Sequence, residues 1–250
     1  MTVRVFPSRD LANAAAAASL SDWIASSPTC SVMVAGGKTP LALYAQIACQ
    51  KRDLSHLNIF ALDEYVGVPL DEPRNCANLL RQTVVQAWGV PQAQFFPISS
   101  LESDALASVR AQEQRIEKAG CLDIAILGLG QNGHLGFNEP GSAPHSPARV
   151  VSLDPVSIQA NGEWFAGDHR PAKGATVGLR TILSARHILL MAYGSHKASA
   201  VCVMIDGPTS EKCPASFLQL HPDVHVFLDE AAGVDLSKSD EQHSLHDPRH

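Results

Sequence analysis

The run LDIAILGL at residues 122–129 is the feature that most constrains the fold of this chain. It is apolar over nearly its whole length rather than at alternate positions, which is typical of a strand that is buried on both faces. Further strands are predicted at residues 2–6, 31–35, 57–62, 186–193 and 224–228, and helices at residues 9–26, 40–49, 76–87, 103–119 and 195–205. Continuous apolar strands that alternate with helices predict an α/β fold in which a mostly parallel sheet carries helices on both faces.

The length and composition are those of a globular protein with a sizeable core. The chain has 250 residues, of which 45% are hydrophobic and 18% charged. We predict a single α/β domain over residues 1–234. The segment from about Asp235, DLSKSDEQHSLHDPRH, is polar and is predicted to be a disordered tail over residues 235–250.

Charge and hydropathy narrow the range of partners. The formal net charge of −6 argues against a general nucleic-acid binder, although a local positive pocket for a small anion remains compatible with it. Membrane attachment is not expected, because no apolar stretch is long enough to span a bilayer and the alanine-rich N-terminus is typical of a helix rather than a signal peptide. The six cysteines form no CxxC pair, so we expect reduced thiols in a cytoplasmic protein.

Parallel sheets of this type bind ligands beyond the carboxyl ends of their strands, which directs attention to the loops there. The first, AGGKTP at 35–40, is a candidate phosphate cradle. Gly36 and Gly37 would let the backbone approach a ligand, and Lys38 and Thr39 add a charge and a hydroxyl. It is not a Walker A loop, which would need glycine in place of Val32. An ordinary strand-to-helix turn explains the same residues equally well.

Two further loops add charged groups. In LDEYVGVP at 62–69, Asp63 directly follows a strand, where a carboxylate could act as a general base, although a helix cap or a solvated turn acid is the commoner role there. In YGSHKASA at 193–200, Lys197 falls in the first turn of a predicted helix. The helix dipole disfavours a cation there unless an anion shares the site, which pairs Lys197 with the 35–40 loop. A solvated lysine is the alternative.

The loop LGLGQNGHLGFNEPGS at 127–142 holds one histidine among glycines. Glycine on either side could hold the His134 imidazole at a fixed, accessible position, and Asn132 and Glu139 are close enough in sequence to orient it as an acid–base group. The pair of histidines in HPDVH at 221–225 falls in a predicted strand, where residues four apart are too distant to share a metal ion. We expect neither a metal nor a cofactor.

Four segments, taken together, resemble the glucosamine-6-phosphate deaminase family. They are LDEYVG at 62–67, GHLGFNEPG at 133–141, TVGLRTIL at 176–183 and GSHKA at 194–198. The resemblance covers roughly residues 30 to 230. Within that family the chain is similar to the galactosamine-6-phosphate isomerase branch, and AGGKTPLALY also resembles the phosphate loop of the related 6-phosphogluconolactonases.

The resemblance implies a Rossmann-like fold and an aldose–ketose isomerisation coupled to loss of ammonia from an amino-sugar 6-phosphate. We accordingly expect an enzyme that is classed both as an isomerase and as a hydrolase. Asp63 matches the base that moves a proton from C2 toward C1, His134 matches the group that opens the sugar ring, and Glu139 matches its partner. The resemblance further assigns phosphate binding to Lys197 and to the loop of Gly36, Gly37, Lys38 and Thr39.

The chain departs from the family pattern at three places. Asn132 stands where some members have aspartate, and it cannot stabilise an imidazolium as strongly. An arginine that binds phosphate in some members has no clear match, and Arg170 is the nearest substitute. The segment after Glu139 lacks a basic pattern, so we expect no activation by an acetylated amino-sugar phosphate.

Other functions compete with this one. The sequence does not decide between the gluco and galacto epimers of the substrate, and a homo-oligomer is among the expected assemblies. A 6-phosphogluconolactonase is the first alternative, and LDEYVG and NEPGS argue against it. A non-catalytic sugar-phosphate sensor is the second, and the presence of Asp63, His134 and Glu139 argues against it, because a sensor needs only the phosphate site.

Overall fold

The strands and helices of the chain alternate over most of its length. The computed structural model describes residues 1–27 and 30–236, so most of the predicted disordered tail lies outside the described residues. The strands are β1 (Thr2–Phe6), β2 (Cys30–Val34), β3 (Leu57–Ala61), β4 (Asp63–Tyr65), β5 (Phe95–Phe96), β6 (Ile124–Gly128), β7 (Arg149–Ser152), β8 (Lys173–Thr176), β9 (His187–Ala192) and β10 (Val224–Asp229).

The α-helices are α1 (Arg9–Ser26), α2 (Leu41–Cys49), α3 (Cys76–Leu80), α4 (Ala105–Lys118), α5 (Pro155–Trp164), α6 (Leu179–Ile182), α7 (Ala198–Asp206) and α8 (Glu230–Gly233). A π-helical segment, Arg81–Gln86, continues α3, and 3₁₀ turns occur at Gln92–Gln94, Ser195–Lys197 and Pro214–Leu220. No helix in the described part of the chain is both long and apolar enough to cross a membrane.

Seven strands form one parallel sheet in the order β1-β10-β9-β6-β2-β3-β5. Its central strands are buried without interruption, as in Ile124–Leu127 of β6 and Ile188–Met191 of β9, where every residue is fully buried. Such strands need cover on both faces, which the helices between them supply. The predicted α/β fold with a mostly parallel sheet is therefore confirmed.

A second, antiparallel sheet of three strands in the order β4-β8-β7 was not predicted. Its strands have only three or four residues each, too few to show a hydrophobic period. The backbone joins it to the carboxyl edge of the main sheet, because Leu62 N–H donates to the Val34 carbonyl and Val177 N–H to the Leu62 carbonyl. The single domain over residues 1–234 stays a prediction.

Four of the five predicted helices differ at an end by one to three residues, and the one predicted at 103–119 spans Ala105–Lys118. Pro40 does not open α2 but precedes it as its N-cap, with φ −84° and ψ −5°. The predicted helix at 195–205 begins as a 3₁₀ turn over Ser195–Lys197 before α7. The segment predicted at 76–87 divides into α3 and the π-helical continuation.

Candidate active site

A cleft lies at the carboxyl edge of the parallel sheet, where the loops after β2, β3 and β6 meet. One helix, α5, forms a wall of it. The lining residues are Ala35–Pro40, Leu62, Asp63, Tyr65, Gly128–Gln131, His134, Gly136, Phe137, Val156, Ser157, Ala160, Asn161 and Lys197. The structure thus brings together most of the side chains that the sequence analysis singled out in separate loops.

Asp63 is the first residue of β4 and is almost completely buried in the cleft wall. Its Oδ1 atom has no hydrogen-bond partner within the described chain. Burial, and then the charge of neighbouring Glu64, raises the pKa of Asp63 to about 8. A carboxylate with a free oxygen and a raised pKa is suited to taking up a proton near neutral pH.

The neighbouring Glu64 has a different role, because its carboxylate caps a helix. It accepts hydrogen bonds from the backbone N–H groups of Tyr65 (2.8 Å), Cys76 (3.1 Å) and Ala77 (2.8 Å), and the last two open α3. Burial raises the pKa of Glu64 to about 7, although these hydrogen bonds oppose the change. The cap that the sequence analysis weighed for this loop therefore applies to Glu64 and leaves Asp63 free.

His134 is held on its Nδ1 side by groups from two elements. Glu139 Oε2 and Ser157 Oγ each lie 3.2 Å from Nδ1. Nε2 makes no hydrogen bond to the described residues, which leaves it for a ligand in the cleft. The ring rests on Gly130, where an added Cβ would come within 2.4 Å of Cγ of His134, so this position requires glycine.

Glu139 is charged throughout the neutral range. Burial raises its pKa, but hydrogen bonds from His134, Ser157 and Asn132 together with the charge of His134 outweigh burial and lower it to about 2. Asn132 Nδ2 donates to Glu139 Oε2 at 2.9 Å, and Asn132 Oδ1 accepts from the backbone N–H of His134 at 3.3 Å. Asn132 and Glu139 therefore stand behind His134 and do not line the cleft themselves.

Thr176 of β8 connects the loop of His134 to the strand of Asp63. It is fully buried and pairs with Asp63 across the small sheet. Its Oγ1 accepts hydrogen bonds from Phe137 N–H (3.2 Å) and Asn138 Nδ2 (3.4 Å). The loop approaches closely here, since an added Cβ on Gly136 would lie 3.0 Å from Thr176 Oγ1 and 3.3 Å from Asp63 Oδ2.

Lysines and a glycine-rich turn also line the cleft. The loop of Gly36, Gly37, Lys38 and Thr39 lines it together with Lys197, and burial lowers the pKa of Lys197. Arg9 of α1 was not predicted to take part, yet its Nη2 lies 3.4 Å from the Lys38 carbonyl oxygen. The charges of Lys38 and Lys197 suit this part of the cleft lining to an anion.

The structure does not bring Arg170 into the cleft, which corrects its expected place among the phosphate-binding residues. Arg170 is exposed and packs on Gly162, where an added Cβ would lie 3.3 Å from Nε. It lines a separate surface depression with Ile158 and Glu163, on the side of α5 that faces away from Ser157 and Asn161. The helix itself separates the guanidinium from the cleft.

The helix α5 was not predicted from the sequence, so Ser157 and Asn161 were not among the expected cleft residues, and neither was Tyr65 on β4. A signal for the helix was present. Asp154 accepts a hydrogen bond from Val156 N–H as the N-cap, and Pro155 occupies the first turn, a combination that marks helix starts. No group of three or more His, Cys, Asp or Glu side chains in residues 1–27 and 30–236 could hold a metal ion.

A cleft that combines acid–base groups with lysines and a glycine-rich turn is suited to catalysis on a small anionic molecule. Residues 8–226 match the model of the family described as glucosamine-6-phosphate isomerases/6-phosphogluconolactonase. The chain belongs to this family, as the resemblance predicted.

This chain is more similar in sequence to the deaminases of the family than to its lactonases. A glucosamine-6-phosphate deaminase of Cutibacterium acnes is 40% identical over 212 residues, which are 83% of this chain and 81% of that protein. One of Streptomyces coelicolor is 35% identical over 96% of this chain and 94% of its own length. Among solved structures, a monomeric glucosamine-6-phosphate deaminase aligns with a TM-score of 0.89 and 34% identity, over 94% of this chain and 99% of that one.

The lactonases of the family are more distant. A 6-phosphogluconolactonase from Trypanosoma cruzi aligns with a TM-score of 0.77 but is 23% identical, over 94% of this chain and 97% of its own, a likeness that shows the fold alone. The expected class of hydrolase is therefore wrong, because the relatives at 35–40% identity are named deaminases and the lactonases are remote.

Proposed function

We propose that this chain is an amino-sugar-6-phosphate deaminase that converts glucosamine-6-phosphate or galactosamine-6-phosphate to the ketose 6-phosphate and ammonia. One observation carries the proposal. A buried carboxylate with an unpaired oxygen, Asp63, and an imidazole backed by a charged carboxylate, His134 with Glu139, share one cleft with an anion site. The names of the relatives support the same activity.

In the proposed reaction His134 opens the sugar ring. Opening a cyclic hemiacetal moves a proton from the C1 hydroxyl to the ring oxygen, and an imidazole can both accept and return it. Because Glu139 and Ser157 occupy the Nδ1 side, Nε2 is the nitrogen that does this. The negative charge of Glu139 stabilises the imidazolium that forms, while Asn132 orients the carboxylate and adds no charge.

Asp63 then moves a proton from C2 to C1 of the open chain. This step needs an ionised carboxylate, and the ammonium group of the substrate favours that form, since an opposite charge nearby lowers the pKa of an acid. As the C2 proton goes to C1, a proton of the ammonium group goes to O1, which leaves a protonated imine at C2. Water then adds to C2, and its oxygen becomes the ketone as the nitrogen leaves as ammonia. Tyr65 and Phe137, whose ring centroids lie 4.9 Å apart, both line the cleft near Asp63 and exclude water from one side of it.

We assign the phosphate group to the lysines and the glycine-rich turn of the cleft. Lys197 and the loop of Gly36, Gly37, Lys38 and Thr39 would bind it through charge and backbone N–H groups. Such binding far from the reacting carbons holds a flexible open chain in register with Asp63 and His134.

The two alternatives have less support. A lactonase has no use for a second carboxylate that enolises a sugar, and the lactonase relatives are remote. A sensor has no use for the acid–base groups. The residues assigned here all lie on one chain, so the proposed reaction does not depend on the homo-oligomer, which stays a prediction of the sequence, as does the cytoplasmic location.

The test is ammonia release by the purified chain from glucosamine-6-phosphate and, separately, from galactosamine-6-phosphate. We expect release from at least one, and the ratio of the two kcat/KM values assigns the epimer. An Asp63→Asn variant serves as the control for contaminating activity. Hydrolysis of 6-phosphogluconolactone without ammonia release would refute the proposal.

A further inference from the structure

Asn161 of α5 is a buried polar side chain in the cleft wall that the proposed mechanism does not use. Only 7% of its surface is exposed. Its Oδ1 accepts a hydrogen bond from the Tyr65 hydroxyl at 2.9 Å, whereas its Nδ2 is buried and has no partner among the residues described. Turning the amide over would exchange the two atoms and leave Oδ1 unpaired instead, so one hydrogen-bonding atom is unsatisfied in either orientation.

An unsatisfied buried amide is costly to a folded protein. It loses the hydrogen bonds that it made to water and gains none in return, a cost of about 1–3 kcal/mol. Buried polar groups are therefore nearly always paired, and exceptions occur at sites where a ligand completes the pairing. Because Asn161 lines the cleft, a bound molecule can reach this side chain.

The neighbours of Asn161 locate it along the cleft. Tyr65, its partner, follows Asp63 by two residues on β4, so both side chains lie on the same side of that strand. Ser157, one turn earlier on α5, contacts Nδ1 of His134. Asn161 thus stands beside the elements that carry the proposed base and the imidazole. Lys38 and Lys197, the cations of the anion site, come from other loops.

We propose that the side-chain amide of Asn161 donates a hydrogen bond to a sugar hydroxyl at C3 or C4 and so takes part in substrate binding. The inference rests on the proposed function. In that function His134 acts at C1 and the ring oxygen, Asp63 at C2 and C1, and the anion site holds the phosphate on C6. The hydroxyls at C3 and C4 are the groups left without a partner, and Asn161 is the buried donor left without an acceptor.

The test compares two variants with a control on the same helix. Asn161→Leu removes all hydrogen bonding, and Asn161→Asp keeps the shape and the bond from Tyr65 but removes the amide donor. Gln159→Ala, at an exposed position on the other side of α5, is the control. We expect both Asn161 variants to lower kcat/KM for the better epimer by about 10- to 100-fold, as the loss of one hydrogen bond to substrate predicts, and Gln159→Ala to leave it within twofold.

Two further readouts separate ligand recognition from a structural role. Competitive inhibition by inorganic phosphate should be unchanged in the variants. The melting temperature of ligand-free Asn161→Leu should stay close to that of the wild type, because the substitution removes the unsatisfied Nδ2 but also leaves the Tyr65 hydroxyl without its acceptor. A loss that differs between the epimers assigns the hydroxyl at C4, and an equal loss assigns the one at C3.

Three results would overturn the inference: wild-type kcat/KM in both variants, weakened inhibition by phosphate, or a lowered melting temperature in parallel with the lost activity in both. If the wild type releases no ammonia from either amino sugar, the proposed function fails separately. The inference is then judged by the rise in melting temperature that glucosamine-6-phosphate produces, which Asn161→Leu should abolish.

Discussion

Two adjacent acids, Asp63 and Glu64, show how the environment of a residue assigns its role. Both are buried and both have a raised pKa. Glu64 has three backbone donors from Tyr65 and the start of α3, whereas Asp63 keeps Oδ1 unpaired and faces the cleft. In the sequence both carboxylates follow a strand, and the family resemblance selects Asp63. The fold adds the physical difference between them, because it makes Glu64 the cap and leaves Asp63 as the candidate base.

The first prediction at this scale concerns Asp63. Asp63→Asn should lower kcat for ammonia release by at least about 100-fold, because an amide cannot accept the C2 proton. In the wild type, kcat/KM should rise as pH increases through about 8, since the base must be ionised in the free enzyme and its pKa is raised to about 8. A pH–rate profile that is flat from pH 6 to 9 would contradict this assignment.

The second prediction concerns the pair of His134 and Glu139. Glu139→Gln should lower kcat by about 10- to 100-fold with a smaller effect on KM, because the neutral amide no longer stabilises the imidazolium. Ser157→Ala, which removes the other group 3.2 Å from Nδ1, is the matched control and should cost less, since it removes no charge. Equal losses in the two variants would show that charge at this position does not matter.

Among the elements, the segment from the 3₁₀ turn Ser195–Lys197 into α7 places a cation at the start of a helix. Lys197→Ala should raise KM by about 10- to 100-fold with little change in kcat, because it removes a charged contact to the phosphate far from the reacting carbons. Lys212→Ala, at an exposed lysine outside the cleft, is the control. The measurement is steady-state kinetics with the epimer that the wild type deaminates with the higher kcat/KM. An unchanged KM for Lys197→Ala would show that this residue does not bind the phosphate.

The loop that carries His134 gives a prediction about packing. Gly136 has φ +57°, and an added Cβ would crowd Thr176, Leu62 and Asp63. Gly141 has φ +95°, and an added Cβ would meet nothing within 4 Å. Gly136→Ala should therefore destabilise the fold by about 1–3 kcal/mol more than Gly141→Ala, since both share the backbone strain and only one overpacks. Denaturant unfolding of the two variants measures the difference, and equal destabilisation would mean that the loop has room to move.

Long elements, whose apolar residues form a clear pattern, could be predicted from the sequence, whereas very short strands could not. The apolar run at 122–129 identified β6, and the central strands followed from the same pattern. The three strands of the small sheet are too short to show a hydrophobic period, and only the pairing of β4 with β8 in the structure identifies them. The loops of Asp63, His134 and Lys197 could be selected because all follow predicted strands. Asn161 could not, because its importance depends on a hydrogen bond to Tyr65, 96 positions away.

For the whole molecule, buried acids link stability to pH. The pKa of Asp63 is about 8 in the folded chain and about 4 when unfolded, so between these values the folded state binds more protons than the unfolded state. Stability should consequently fall as pH rises from about 4 to about 8, and Glu64 acts in the same direction.

Asp63→Asn tests this link. It should raise the melting temperature, and by more at pH 8 than at pH 5, because the wild type must ionise a buried carboxyl only at the higher pH. Asp53→Asn is the control at an exposed site. Hydrogen bonds from Ser55 lower the pKa of Asp53, so its replacement should produce no gain at pH 8. Calorimetry at the two pH values measures the melting temperatures. A larger rise for Asp63→Asn at pH 5 than at pH 8 would contradict the predicted dependence of stability on the ionisation of Asp63.

The Thr176 hydroxyl has a consequence for how the site can change. Because β8 pairs with β4 while Thr176 accepts hydrogen bonds from the His134 loop, one buried side chain fixes the separation of two groups that lie 71 positions apart in the chain. A shift of the small sheet would carry both groups along as a single body. Mutations can therefore accumulate in the surrounding loops, and retune what the cleft accepts, without altering the spacing on which proton transfer depends.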